Sequence, residues 1–306
     1  MPDFKFDFMG KRRIAAAVSG VLIIVSITGL AVQGLNRGLD FTGGALVEVG
    51  FEKPTDPEAV RVVLVTAGLR NGVVQTFGSQ TELLIRMPPQ PGVDQSTVGD
   101  RIQQILSDAY GDVDLRRSEF VGPAVGEELT ENAGLAMLVA LGVVMVYIMF
   151  RFTGKFAIGA VAALIHDVII VLGAFAIFQW TFNLAELAAV LAVIGYSLND
   201  TIVVSDRIRE NFRLVRRGTV VDIINRSLNQ TLGRTLITSL TTLMVLLALL
   251  IAGGELIRGF ATALTIGVVV GTYSSIYVAA SVLIAMGISK DDLIVPDKEA
   301  LDDNVP

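Results

Sequence analysis

Two aspartates and an arginine stand where charge is costly. Asp200 interrupts the apolar run 187–204, and Asp167 interrupts 156–178 beside the single histidine, His166. Arg234 opens the uncharged run 235–254. An uncompensated charge at the centre of a bilayer costs at least about 2.5–3.5 kcal/mol on insertion scales, so such residues are read first as functional. The chemistry they offer is proton binding: low dielectric favours a neutral carboxyl, whereas a nearby guanidinium favours the carboxylate. A geometry that brings Arg234 close and then withdraws it would switch Asp200 between holding and releasing a proton. One charge crossing the field is worth about 2.3 kcal/mol per 100 mV, enough to bias a two-state element.

Spacing places these groups. Asp200 lies six residues before the charged border Asp206-Arg207, or about 9 Å inside it along a helix. Asp167 is eleven residues into its run, about 17 Å deep and near mid-membrane. Arg234 enters from the same side as Asp200 on the next, oppositely running span, so the two can meet at similar depth. Ser197, Asn199 and Thr201 surround the aspartate, while Thr238, Thr241 and Thr242 extend the arginine's face, together a place to hold water. The bland alternative is a static interhelical pair with hydroxyls bonded back to their own turns. Asp167 carries both readings, a proton group or a cap for a neighbouring helix. His166, 100° around the helix from it, reads as structural. Glu186 reads as solvated at the outer border, and Gly267 and Gly271 read as a close-packing pair.

The elements that must position these groups are membrane spans. Of the 306 residues 52% are hydrophobic and 18% charged, against about 25% charged in soluble domains. Residues 14–36, 132–150, 235–254 and 259–289 contain no Asp, Glu, Lys or Arg, and a bilayer core needs only about 20 such residues. A soluble two-domain enzyme and a secreted protein are excluded. The uncharged stretch after Lys11, Arg12 and Arg13 exceeds a signal peptide's apolar region and lacks a clear small-residue cleavage site, so it reads as a retained signal anchor. With no cysteine and one histidine, disulfides and thiolate or His-built metal sites are not expected, and neither is a cofactor or a nucleic-acid partner.

The expected organisation is a cytoplasmic N-terminus (1–13), span 1 (14–34), an outer α+β domain (35–127), and spans at 128–150, 156–178 and 184–204. A cytoplasmic loop (205–232), spans at 233–253 and 259–287, and a cytoplasmic tail (288–306) complete it. Lys and Arg crowd one side, at Lys5, Arg151, Lys155, Arg207, Arg209, Arg213, Arg216, Arg217, Arg226 and Lys290, whereas the short loops of the other side offer only Arg258. That bias puts both termini in the cytoplasm. In the outer domain, strands at 45–51, 73–77, 83–87 and 113–120 alternate with two helices. The first starts at a Thr55-x-x-Glu58 capping box and stops at Gly68; the second, holding Val98, Ile102 and Leu106 inward, follows the loop Pro88-Pro89-Gln90-Pro91-Gly92 and stops at Gly111. The order βαββαβ is ferredoxin-like. In the cytoplasmic loop, Thr219 to Asp222 start a helix whose apolar face is Val220, Ile224, Leu228 and Leu232, expected to lie along the membrane surface as a connector packed under the bundle rather than as a membrane sensor.

At this point a family resemblance is evident. Gly38-Leu39-Asp40-Phe41-Thr42-Gly43-Gly44, the segment Val193-Ile194-Gly195-Tyr196-Ser197-Leu198-Asn199-Asp200-Thr201, and Arg234-Thr235 through Thr238-Ser239-Leu240-Thr241-Thr242 resemble the signatures of the SecD/SecF family, in its SecF branch. The likeness covers the chain in order. It implies a place in the resistance–nodulation–division superfamily, pairing with SecD, and work with the SecYEG channel, often with YajC, in the bacterial cytoplasmic (inner) membrane. It also implies use of the proton motive force to draw unfolded preproteins to the periplasm after the SecA step, rather than enzyme catalysis. By position Asp200, Arg234 and Asp167 then become the proton-transport residues. Half of a small-molecule exporter and a non-conducting scaffold stay open as alternatives.

Overall fold

A computed structural model describes residues 5–90, 95–152, 154–215, 218–289 and 292. The expectations for Pro91, Gly92, Arg216, Arg217, Lys290 and nearly all of the acidic tail fall outside these residues. Helix α1 (Arg12–Val32) leads into a two-residue strand β1 (Asn36–Arg37) and a single turn α2 (Leu39–Thr42). An α+β unit follows: β2 (Gly44–Phe51), α3 (Pro57–Thr66), β3 (Val73–Phe77), β4 (Ser79–Met87), α4 (Val98–Tyr110) and β5 (Val113–Val121). The remainder is helical, with α5 (Pro123–Arg151), α6 (Gly154–Phe178), a short strand β6 (Thr181–Phe182), α7 (Leu184–Leu214), α8 (Val220–Ala252) and α9 (Gly254–Ala285). Among the described residues six helices are long and apolar enough to cross a membrane: α1, α5, α6, α7, α8 and α9. The chain is therefore a multi-pass membrane protein.

The α+β unit forms one antiparallel sheet in the order β3-β4-β2-β5. Period-2 alternation puts Ala45, Val47 and Val49 of β2 and Leu83, Ile85 and Met87 of β4 on one face. Val60 and Leu64 of α3 and Val98, Ile102 and Leu106 of α4 cover that face in a dry core. Gly78 takes φ +73° in the tight turn from β3 to β4, and Gly68 and Gly111 take φ +90° just past α3 and α4. The cap of α3 is Asp56, not Thr55: the Asp56 carboxylate accepts from Glu58 N, while Thr55 Oγ1 donates to Lys53 O. Pro57 at the first helical position displaces the box by one residue, since its missing N–H needs no partner.

In the bundle, α6, α7 and α9 lie innermost. Leu164, Val171 and Phe175 of α6 pack with Val190 and Ile194 of α7 and with Ala263, Ala280 and Leu283 of α9. Helices α1, α5 and α8 are peripheral and leave Ile24, Leu138, Phe150, Met244 and Ile251 exposed, as lipid or a partner's helices require.

One expectation about the segment 205–232 changes. No separate surface helix exists at 219–232: Thr219 and Asp222 form a capping box, and α8 then runs unbroken from Val220 through the fifth span. Its face Ile224, Leu228 and Leu232 is buried against the protein, as a connector packed under the bundle requires. An extension of α7 beyond Asp206 supplies the partner surface, with Asn211 Nδ2 donating to Ser227 Oγ and Gln230 Oε1 at 2.8 Å each. A continuous amphipathic stripe has the same sequence pattern whether membrane or helix covers it. On the N-terminal side, Asn225 and Asn229 of α8 bond the backbone at Phe6 and Met9. The Gly10 N–H and the Asn225 amide both bond Asp7 and hold its carboxyl below the usual aspartate range.

Candidate functional site

Asp167 is fully buried in α6 and gathers three helices. Its Oδ2 accepts from Ser197 Oγ of α7 at 2.6 Å and from Ser274 Oγ of α9 at 2.7 Å; its Oδ1 lies 2.9 Å from His166 Nδ1. His166 is therefore not a bystander. Its ring stacks on Tyr273 at 6.1 Å between centroids, and the Tyr273 hydroxyl donates to Ala15 O of α1 at 2.7 Å and sits 3.1 Å from Ser19 Oγ. The 100° step between adjacent helical residues is spanned because both side chains are long enough to meet over the same turn. Sequence spacing suggested Ser197 for Asp200, but the structure gives it to Asp167. It also adds Ser274 and Tyr273, invisible in advance because they lie on the sixth span with no periodic signal to single them out.

Close helix approach makes this network possible. A Cβ on Gly267 would stand 2.1 Å from Val193 Cγ2, and one on Gly271 would stand 3.1 Å from Ser197 Cβ and 3.5 Å from Asp167 Oδ2. The glycine pair thus seats α9 directly on α7 at the aspartate, as small residues do in membrane packing. Gly267→Leu is expected to push α9 from α7 and break the Ser274 bond. Overpacking by a whole side chain costs about 1–3 kcal/mol or more, read as a lower melting temperature in detergent while Gly142→Leu, with open space around it, leaves the melt unchanged.

Asp200 sits one turn further along α7 and is 3% exposed. Among the described residues its Oδ2 has no hydrogen-bond partner, and neither do the buried hydroxyls of Thr201 and of Thr235 on α8. Arg234 is exposed, and its charge reaches Asp200 through space. No ion pair within 4.0 Å forms between them. Buried orphan acceptors are rare because each costs about 1–3 kcal/mol. The arrangement suits a group that exchanges a proton rather than one locked in a bridge.

The other expected members divide. Asn199 is exposed and turned away. Thr238, Thr241 and Thr242 donate to the carbonyls of residues four positions earlier, Arg234, Ile237 and Thr238, so the bland alternative describes them. Thr235 replaces them as the hydroxyl of α8 without a partner. Ser239 joins α8 to α9 through Thr272 Oγ1 at 2.7 Å. Glu186 is not solvated: it is 4% exposed, and its Oε2 accepts from Asn183 N in the capping box of α7. A carboxylate that caps a buried helix end loses its water to the backbone N–H groups it satisfies. Among the described residues no cluster of His, Cys, Asp and Glu has the makings of a metal site.

The Gly38-to-Gly44 motif lies where α6 ends and α7 begins. Strand β1 pairs in parallel with β6, Asn36 opposite Thr181 and Arg37 opposite Phe182. Gly38 N donates to Phe182 O at 2.8 Å, and Asp40 Oδ2 accepts from Leu184 N at 3.0 Å. Phe41 stacks on Phe182 at 6.1 Å, and Thr42 Oγ1 donates to Gly38 O. Arg86 of β4 reaches the same turn, Nη2 donating to Thr181 Oγ1 at 3.1 Å. Its burial lowers the guanidinium's pKa below the usual arginine value.

Comparison with known proteins matches these features. The family described as protein export membrane protein SecD/SecF, C-terminal, covers residues 101–289, and the SecD/SecF GG motif covers residues 28–55. The protein translocase subunit SecF of Vibrio alginolyticus is 51% identical over 95% of this chain and 93% of its own. That of Pseudomonas aeruginosa is 49% identical over 97% of both. The crystal structure of SecDF, a translocon-associated membrane protein from Thermus thermophilus, superposes with a TM-score of 0.84 at 39% identity. That match covers 93% of this chain but only 39% of the SecDF chain. Matching at this coverage, with the motif and all six spans in order, shows that the chain belongs to the SecD/SecF family, as a SecF-type accessory subunit of the Sec translocase.

Proposed function

We propose that this subunit couples proton movement across the cytoplasmic membrane to late steps of preprotein export, together with SecD and the SecYEG channel and, in some assemblies, YajC. Asp200 is the group that takes and releases the proton, and Arg234 sets its charge balance from a distance. The His166–Asp167 pair, tied to Ser197 one turn away on α7, is the second proton-bearing element. The observation that carries this reading is the buried Asp200 carboxyl, whose Oδ2 has no hydrogen-bond partner among the described residues. Both termini face the cytoplasm, and the α+β unit, ferredoxin-like in its strand order, faces the periplasm and meets unfolded chain. The lysine and arginine bias of the flanks supports that orientation.

Proton flux tests the reading directly. In vesicles reconstituted with this chain and SecD, an imposed gradient is expected to drive flux. Asp200→Asn is expected to reduce that flux at least tenfold. Equal flux from the two proteins would refute it. Because the chain has no cysteine, a single Gln104→Cys reports orientation by its reactivity toward an impermeant thiol reagent added outside intact cells.

A further inference from the structure

From the contacts of the Gly38–Gly44 segment we infer that it is the mechanical joint through which α7 moves the α+β unit, with Gly38 and Asp40 as its positioning residues. The inference rests on the proposed proton role of α7 only for what sets the joint in motion.

The joint has two ends, and neither contains slack. At one end it grips the start of α7. Asp40 bonds the Leu184 N–H, the first of the helix's unpaired donors. Gly38 lies so close to Asn183, the N-cap of α7, that a Cβ on Gly38 would stand 1.5 Å from Asn183 Oδ1. Gly38 has φ −79°, open to any residue, so this close approach is what requires glycine. At the other end the segment runs straight into β2. Gly44, the first residue of β2, has φ +119°, and a Cβ there would meet Met87 O at 2.3 Å. Since β2 is hydrogen-bonded to β4 on one side and β5 on the other, force applied at Gly44 moves the sheet as one body. Arg86 supplies a second tie from β4 to Thr181, just before α7.

The lever is α7 itself. From Leu184 to Asp200 it is one unbroken helix, about 24 Å long. Any tilt caused by a charge change at Asp200 therefore appears at Asn183 and Leu184, where the segment holds it. A flexible tether of ordinary loop length would dissipate such a displacement. Here the path from helix to strand is seven residues, with Gly38, Asp40 and Phe41 held at the start of α7 and Gly44 seated in the sheet.

Three readouts on the full chain reconstituted with SecD test the joint. The first is the spread of distances between spin labels at Gln104→Cys on α4 and Ile251→Cys at the outer end of α8. The second is proton flux, and the third is the proton-dependent gain in preprotein translocation. Asp40→Ala and Gly38→Ala are expected to broaden the distance distribution and cut the translocation gain at least fivefold, while flux stays within twofold of the parent. In Gly38→Ala the further change Asn183→Ser, which shortens the clashing side chain and replaces the capping amide oxygen by a hydroxyl, is expected to restore the narrow distribution and most of the gain. A merely structural glycine would not produce rescue together with the split between flux and translocation. Full translocation with a narrow distribution in both variants would overturn the joint. So would flux lost in parallel with translocation, or failure of both variants to assemble. Absence of flux in the parent protein would instead overturn the proton reading, and the label distances would still judge the joint.

Discussion

Asp200→Asn is expected to remove the entire proton-dependent part of preprotein translocation while leaving the amount and assembly of the protein unchanged. Asparagine has nearly the same volume, so the 3% exposed site stays filled. No ion pair is broken, because Arg234 forms none with Asp200 within 4.0 Å. Neutralising a buried carboxyl without a partner does not cost stability, since its charged form had nothing to repay desolvation. The melting temperature in detergent should therefore hold or rise. Translocation into inverted vesicles, measured with and without a proton gradient, should become identical in the two conditions. A variant still stimulated by the gradient would remove Asp200 from the mechanism. Arg234→Leu is expected to impair more than Arg234→Lys, because a charge acting through space survives replacement by another cation, whereas a bidentate fork would not.

Asp167→Ala is expected to be the most destabilising single change in the bundle. It strands Ser197 Oγ, Ser274 Oγ and His166 Nδ1, the three partners of one buried carboxylate. Each orphaned buried group costs about 1–3 kcal/mol. Ser274 has a fallback in Gly271 O at 3.2 Å, so the sum falls near about 3–5 kcal/mol, enough to lower assembled protein severalfold. Asp167→Asn keeps one accepting oxygen and is expected to cost about 1 kcal/mol. It therefore separates the two roles. Thermal melting should show a nearly intact Asp167→Asn, while proton-dependent translocation should fall as it does for Asp200→Asn. Full translocation by a stable Asp167→Asn would leave the network as a clamp between α6, α7 and α9 and nothing more.

Much of the architecture is legible in the residue order. Six apolar stretches, the two helices and four strands of the α+β unit, and the caps at Gly68, Gly111 and Thr219 follow from periodicity and turn chemistry alone. The exceptions have physical causes. Asp56 rather than Thr55 caps α3 because Pro57 has no N–H to satisfy. The amphipathic stretch from Val220 continues into α8 because a buried stripe looks the same beside a helix as beside lipid. Glu186 read as solvated because its depth in sequence is shallow; the fold covers it with Gly259, whose added Cβ would stand 2.1 Å from Glu186 Oε1.

The sequence by itself determined which residues are ionisable inside the membrane, and it did so through cost: Asp167, Asp200 and Arg234 stand out because a bilayer tolerates few charges. Only the tertiary structure decided what each one does there. It gave Ser197 to Asp167 rather than to Asp200, drew His166 and Ser274 into the same cluster, and left Asp200 unpaired with Arg234 at a distance. It also set the Gly38-to-Gly44 motif against the start of α7. Hydrogen bonds extend only about 3 Å, and which helices come that close depends on glycines such as Gly267 and Gly271. Partners across helices are separated by tens to more than a hundred residues of chain, and no local pattern records them.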